Sequence, residues 1–256
     1  MSEQTRNQVR QCWEQGQAAL SGWLQLPGAL HAEALARLDY DAVVIDVQHS
    51  LIDFAQLAPM MVAIELGGAE PIVRMQVNDQ ADAMKLLDAG ARGLIAPMIN
   101  TAEDAERFAA ALHYPPRGVR SYGPRRPALR YGSSYLQQAS ESIVALAMIE
   151  TREALGNLDA ILAVDGLDGV FIGPTDLALD LGHAPSVDSN EPEVVAAIAH
   201  VRQRAHAAGK RAGIFCGSGN FARSKIAEGF DFVTAAPDLS LLLSAAQAVI
   251  AQARSS

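Results

Sequence analysis

The sequence predicts an α/β chain folded as a single (β/α)8 TIM barrel spanning residues 1–256. Three observations carry this. Short apolar runs alternate with stretches of helical spacing along the whole chain, and such alternation implies parallel strands joined by crossover helices. Eight such units fit into 256 residues, which is the usual length of this barrel. Finally, Pro27-Gly28-Ala29 after the first strand is no glycine-rich phosphate turn, which disfavours the runner-up, an open doubly wound sheet. No linker divides the chain.

The elements follow in order. Residues 1–19 are polar with scattered apolar positions (Val9, Cys12, Trp13) and predict a short helix. Strand one is 21–26, stopped by Pro27-Gly28. Residues 31–38 place Leu30, Ala34, Leu35 and Leu38 on one helical face. Strand two, 42–47, is nearly all β-branched, as a strand buried on both faces should be. A helix over 54–66 ends at Gly67-Gly68, strand three is 71–77, and a helix over 79–89 ends at Gly90. Strand four is 93–98. The helix 101–113 opens with Thr101 as N-cap and Asp104 as its capping-box partner. A long loop, rich in Arg, precedes strand five at 143–149. The helix 152–164, strand six at 169–172, a further loop and the helix 192–208 come next. Strand seven (211–215), a helix (221–228), strand eight (230–235) and a last helix (239–253) complete the series.

Composition excludes several classes. Net charge is −9, and no basic run of five residues exists, so neither nucleic acid nor an anionic membrane surface is an expected partner. No apolar stretch reaches the roughly 18 residues of a membrane helix. The polar start of the chain lacks the apolar core of a secretory signal. With only Cys12 and Cys216, a disulfide framework or thiolate cluster is excluded and a reduced, cytoplasmic protein is expected.

Chemistry in this barrel sits where strands end. Strands five and six each end in one acid: Met148-Ile149-Glu150 and Phe171-Ile172-Gly173-Pro174-Thr175-Asp176. Two carboxylates from adjacent strands suit a hard divalent cation such as Mg²⁺ or Mn²⁺; the plainer reading is that each acid caps the following helix. Arg74 interrupts an apolar strand. It either pairs with Asp46 or Glu150, or binds a substrate carboxylate or enolate. His49 follows strand two, three residues after Asp46, so an acid is at hand to orient a base; a lone loop His is more often inert. The three lysines, Lys85, Lys210 and Lys225, fall on helices or at the opposite rim. None can form a Schiff base at the catalytic end, so carbonyl chemistry here would need a metal to hold an enolate.

These residues resemble the HpcH/HpaI family of metal-dependent pyruvate aldolases, from Gly22 to about Leu243. The motifs are Ile45-Asp46-Val47-Gln48-His49, Val73-Arg74, Lys85-Leu86-Leu87-Asp88-Ala89-Gly90, Tyr114-Pro115-Pro116-Arg117-Gly118-Val119-Arg120, Ile149-Glu150-Thr151 and Phe171 to Leu177. The resemblance implies a lyase that reversibly cleaves 4-hydroxy-2-oxo acids to pyruvate, or hydroxypyruvate, and an aldehyde. It implies that Glu150 and Asp176 hold Mg²⁺, Mn²⁺ or Co²⁺. The turn Gly173-Pro174-Thr175 would hold the substrate carboxylate and Arg74 the enolate oxygen. His49 would relay the proton, oriented by Asp88 with Asp46 close by. Phe215 and Pro237 would line the aldehyde pocket. It also implies a homo-oligomer, a hexamer built as a trimer of dimers, with the last helix exchanged between neighbours.

Three departures from the family pattern bear on the substrate. Val47-Gln48-His49 stands where Gly-Glu-His is frequent, and Met148 faces the substrate where Gln is common. The segment 121–132 carries more Arg than expected; it is either a solvated loop pinned by Pro or a clamp for a phosphate or second carboxylate on the aldehyde. Two further readings are an acyl-CoA lyase on the same barrel, for which no basic CoA groove is evident, and a noncatalytic binding barrel, which would have no use for the acid pair and Arg74.

Overall fold

A computed structural model describes residues 6–255. Its elements run α1 (Gln8–Glu14), β1 (Ala19–Leu24), α2 (Ala29–Ala36), β2 (Ala42–Asp46), α3 (Phe54–Gly67), β3 (Glu70–Arg74), α4 (Gln80–Ala89) and β4 (Gly93–Ala96). Then come α5 (Ala102–Leu112), α6 (Arg125–Tyr131), α7 (Tyr135–Ser142), β5 (Val144–Ile149), α8 (Arg152–Gly156), α9 (Leu158–Leu162) and β6 (Gly169–Ile172). The chain continues through α10 (Pro174–Asp180), α11 (Pro192–Ala207), β7 (Arg211–Ile214), α12 (Gly219–Glu228), β8 (Phe232–Pro237) and α13 (Asp238–Arg254). The strands pair in sequence order, all parallel, and β8 closes on β1. The expected (β/α)8 barrel is the fold that forms.

Strand parity organises the core. Side chains alternate across a strand, so Ala42 and Val44 of β2 face inward while Val43 and Ile45 face the helices. The interior cluster holds Trp23, Val44, Ile72, Ile95, Leu146, Met148, Phe171 and Phe232. The outer cluster, between strands and helices, holds Leu24, Ile45, Val73, Leu94, Ile149, Ile172 and Val233. Carried one step past the core, the inward parity of β2, β3 and β5 falls on Asp46, Arg74 and Glu150.

Four differences from the sequence reading stand out. Only 8–14 of the N-terminal segment is helical among the described residues; residues 1–5 of that expectation lie outside them. The Arg-rich segment is no loop: it contains α6 and is followed by α7. The turn after β6 enters α10, with Pro174 at its first position. The helix expected over 152–164 breaks at Asn157 into α8 and α9. At the N-terminal end of the barrel, α1 inserts Val9 and Trp13 into the interior cluster, and Trp13 Nε1 donates to the Asp231 carbonyl.

Candidate active site

At the C-terminal rim lies a cavity of about 330 Å³. Two larger clefts, of about 470 and 580 Å³, flank α1 at the other rim, where side chains such as Arg10 and Asp168 are already paired. The smaller cavity collects the predicted residues His49, Arg74, Met148, Gly173, Pro174, Thr175, Asp176, Phe215 and Pro237.

Its polar wall is built on a buried ion pair. Arg74 ends β3 and Asp46 ends β2, directly opposite each other in the ladder. Arg74 Nε donates to Asp46 Oδ1 at 2.9 Å and Nη2 to Oδ2 at 2.5 Å. The backbone N–H groups of Gln48 and His49 also donate to Oδ1, and Trp23 Nε1 to Oδ2. Burial alone would raise the Asp46 pKa; the hydrogen bonds and charge of Arg74, with the two backbone donors, outweigh it and hold the carboxyl below its usual value. Arg74 also lies over the Trp23 ring, 4.9 Å from its centroid. Nη1 of Arg74 donates to no described residue, which leaves it for the cavity that Arg74 lines.

Of the two expected partners of Arg74, then, Asp46 is the one it binds. Asp46 orients His49 only through the backbone N–H, at 3.1 Å; the His49 ring hydrogen-bonds to no described residue. Asp88 is not brought to His49 within the chain. It sits in the last turn of α4, next to the rim where β4 begins, and its Oδ1 accepts from buried Arg120 at 2.9 Å. Arg120 in turn lies against Tyr114 and Tyr135.

The acid pair forms the opposite wall. Glu150 follows β5 and is buried; Asp176 is the third residue of α10. Burial, and then the nearby Asp176 charge, raise the Glu150 pKa, against the Met98 N–H and Arg74, which lower it. Met98 donates to Glu150 Oε1 at 2.7 Å and does so with φ of 53°. The two described non-glycine residues in the left-handed region, Met98 and Ala236, both lie at this rim, where such strain is commonly tied to function. Gly173 is required here: a Cβ on it would sit 2.6 Å from Glu150 Oε2 and 3.0 Å from Met148 Cε.

This donor set fits a hard divalent cation. A buried carboxylate beside a second carboxylate, with no cationic side chain paired to it among the described residues, is costly in its ionised form, a cost that a proton or a bound cation offsets. The described residues hold no cluster of three or more His, Cys, Asp or Glu arranged for a metal, so the remaining ligands would be water and substrate oxygens. The lysines are spent elsewhere: Lys85 lies over Phe54, Lys210 donates to the Val164 and Leu167 carbonyls, and Lys225 pairs with Glu228.

Sequence reasoning missed Trp23, Gln25, Phe171 and Val187 as lining residues. Parity would have found the first three, since Trp23 on β1 and Gln25 just past its end share the inward parity and Phe171 sits two residues before Gly173. Val187 carries no strand signal. The Arg-rich segment does not reach the cavity: Arg126 and Arg130 both pair with Glu65, at the end of α3.

Residues 21–245 match the HpcH/HpaI aldolase/citrate lyase family. The chain belongs to that family and is a carbon–carbon lyase of the aldolase type. It is 76% identical over 248 residues to a hydroxypyruvate/pyruvate aldolase of Rhizorhabdus wittichii, covering 97% of this chain and 99% of the relative. A 4-hydroxy-2-oxo-heptane-1,7-dioate aldolase of Salmonella heidelberg is 37% identical over 250 residues, 96% of this chain and 94% of the other. The crystal structure of a family protein from Burkholderia cenocepacia superposes with a TM-score of 0.90 at 31% identity, covering 97% of this chain and all of that one.

Proposed function

We propose that the chain reversibly cleaves 4-hydroxy-2-oxo acids to an aldehyde and pyruvate or hydroxypyruvate, with Glu150 and Asp176 holding a divalent cation (Mg²⁺, Mn²⁺ or Co²⁺). The observation that carries this is the pairing of buried Glu150 with half-buried Asp176, facing an Arg74 guanidinium fixed on Asp46 in the same cavity. When bound, the cation would polarise the 2-oxo group and offset the charge that develops beside it.

The chain's own residues do the rest. Arg74 is oriented by Asp46 and Trp23, so its free Nη1 is preorganised to donate to the developing oxyanion. The backbone N–H groups of Gly173 and Thr175, at the open first turn of α10, bind the substrate carboxylate. Met148 packs against this turn. His49, at the mouth, takes the proton from the aldol hydroxyl in cleavage and returns it in synthesis. Phe215 and Pro237 face the aldehyde.

Residues 1–256 act as one catalytic domain in the cytoplasm, assembled as a hexamer, a trimer of dimers with α13 exchanged. The exposed leucines of α13 support this assembly, and a chain whose two cysteines, Cys12 and Cys216, form no disulfide with each other suits a reducing compartment.

The test uses chelator-stripped protein with pyruvate and glycolaldehyde or succinic semialdehyde, with and without Mn²⁺. The expected outcome is aldol product only when metal is restored. Absence of metal-dependent product with every aldehyde would overturn the reading.

A further inference from the structure

Val187 lines the cavity, yet no strand or helix supplies it. It lies in residues 182–191, between α10 and α11. This segment is nonetheless held at two places. At its base the His183 N–H donates to the Ala178 carbonyl at 2.8 Å, and His183 Nε2 lies 2.9 Å from Glu193. Towards its far end Asp188 reaches the loop after β7: Oδ1 accepts from the Gly217 N–H at 2.8 Å and Oδ2 from the Ser218 hydroxyl at 2.7 Å. The two segments touch closely, because a Cβ on Gly217 would sit 3.1 Å from Val187 Cγ1 and 3.3 Å from Asp188 Oδ1.

The spacing along each segment matters. Asp188 directly follows Val187, and Gly217 comes two residues after Phe215. One carboxylate therefore ties two apolar walls of the same cavity to each other. Phe215 is backed by Trp23, edge-on at 4.8 Å between ring centroids, so it has little freedom to move. Val187 is half-buried and lies against Gly217, where the latch of its neighbour Asp188 holds it.

The two ends of the cavity differ in chemistry. Arg74, Asp176 and the Gly173–Thr175 turn supply charge and donors suited to a 2-oxo acid. Val187, Phe215 and Pro237 supply only apolar surface, suited to the substituent on an aldehyde carbonyl. We propose that residues 182–191 form a strap, latched by Asp188, that makes the acceptor wall of the site. Val187 is then a specificity-determining residue that selects aldehydes by the bulk of their substituent, and Asp188 is the positioning residue that holds it. This rests on the aldolase reading above.

The test separates the donor and acceptor halves of the reaction on the metal-loaded enzyme. Exchange of the pyruvate methyl protons in D2O, followed by NMR, needs no aldehyde; the aldol rate is measured with glycolaldehyde and with butyraldehyde. For Val187→Ala, the butyraldehyde-to-glycolaldehyde ratio of kcat/KM should rise about tenfold, and for Val187→Leu it should fall, since a single methyl or methylene in a pocket discriminates on that scale. For Asp188→Ala, the aldehyde KM should rise about tenfold relative to the exchange rate, as expected when a binding wall is displaced. Asp188→Asn should restore most of this, because an amide can still accept from Gly217 N–H and donate to the Ser218 oxygen. An unchanged aldehyde ratio in both Val187 variants overturns the proposal. So does a loss of exchange in Asp188→Ala equal to its loss of aldol rate. If Asp188→Ala does not fold, the Val187 pair decides alone. A wild-type enzyme that shows neither exchange nor aldol product overturns the aldolase reading itself, a result distinct from either of these.

Discussion

Glu150 shows how a single residue can be costly for the metal-free fold and useful to the site. Its pKa is raised, first by burial and then by Asp176. In the metal-free protein the folded state therefore holds this proton to higher pH than the unfolded chain does. Between the two pKa values the unfolded state binds fewer protons, so this group's contribution to stability falls as pH rises through that window. A bound cation reverses the effect, since it competes with the proton for the same oxygens. Glu150→Gln should flatten the pH slope and leave the metal-free protein at least as stable as wild type. Wild type should gain about 5–10 °C in Tm at a metal concentration about 100 times Kd, with the gain shrinking as pH falls; Glu150→Gln should gain almost nothing. Thermal scans with and without Mn²⁺ at several pH values check both. A Gln variant that keeps the full metal-induced rise would remove Glu150 from the ligand set. Most residues of this wall were legible in the sequence because each is a polar group that breaks an apolar strand or ends one. Trp23 was not, because an aromatic on a buried strand looks like ordinary core; only its register with Asp46 and Arg74 gives it a second role.

At the scale of elements, the strands were legible to within two or three residues because burial on both faces demands continuous apolar runs. Helices whose capping chemistry is local were legible too, and the Thr101–Asp104 capping box forms as expected. The elements that escaped are α6, α7 and α10, short helices without an apolar stripe long enough to register. For α10 a signal existed: Pro174 at the first position and Asp176 in the first turn are favoured at a helix start. For α6 the tertiary partner is decisive. Its Arg126 and Arg130 converge on Glu65, whose side chain is only 3% exposed, so the helix is fastened to the end of α3 rather than poised over a substrate. Glu65→Ala would strand both guanidinium groups. With the Arg side chains 25% and 43% exposed, the cost is below that of a fully buried pair, about 2 kcal/mol, or about 4–8 °C in Tm for a domain of this size. Activity per folded molecule at 25 °C should be unchanged. A specific loss of aldol activity with an anionic aldehyde, at unchanged Tm, would instead restore the clamp reading of this segment.

The whole molecule leaves one element without a place. Every residue of α13 from Leu239 to Arg254 is exposed, including Leu241, Leu242, Leu243, Val249 and Ile250. Only Asp238, at its start, is buried; it accepts from the Gln25 and Leu26 N–H groups and so fixes where the helix leaves the barrel. An isolated helix of 17 residues is marginal in water without a packed face. An apolar surface of this extent marks a contact. With only Asp238 buried and every later residue exposed, α13 leaves its own barrel rather than covering it. A second copy offers the same helix and the same barrel wall, and a symmetric exchange buries both at once. Light scattering on the wild-type protein should therefore give a multiple of the 27.1 kDa chain, six under the assembly proposed above. Leu242→Asp combined with Ile250→Asp should yield smaller species, with a lower Tm that depends less on protein concentration than that of wild type. A wild-type monomer at micromolar concentration would refute the exchange. If the double variant kept wild-type mass, α13 would be excluded as the element that joins the copies.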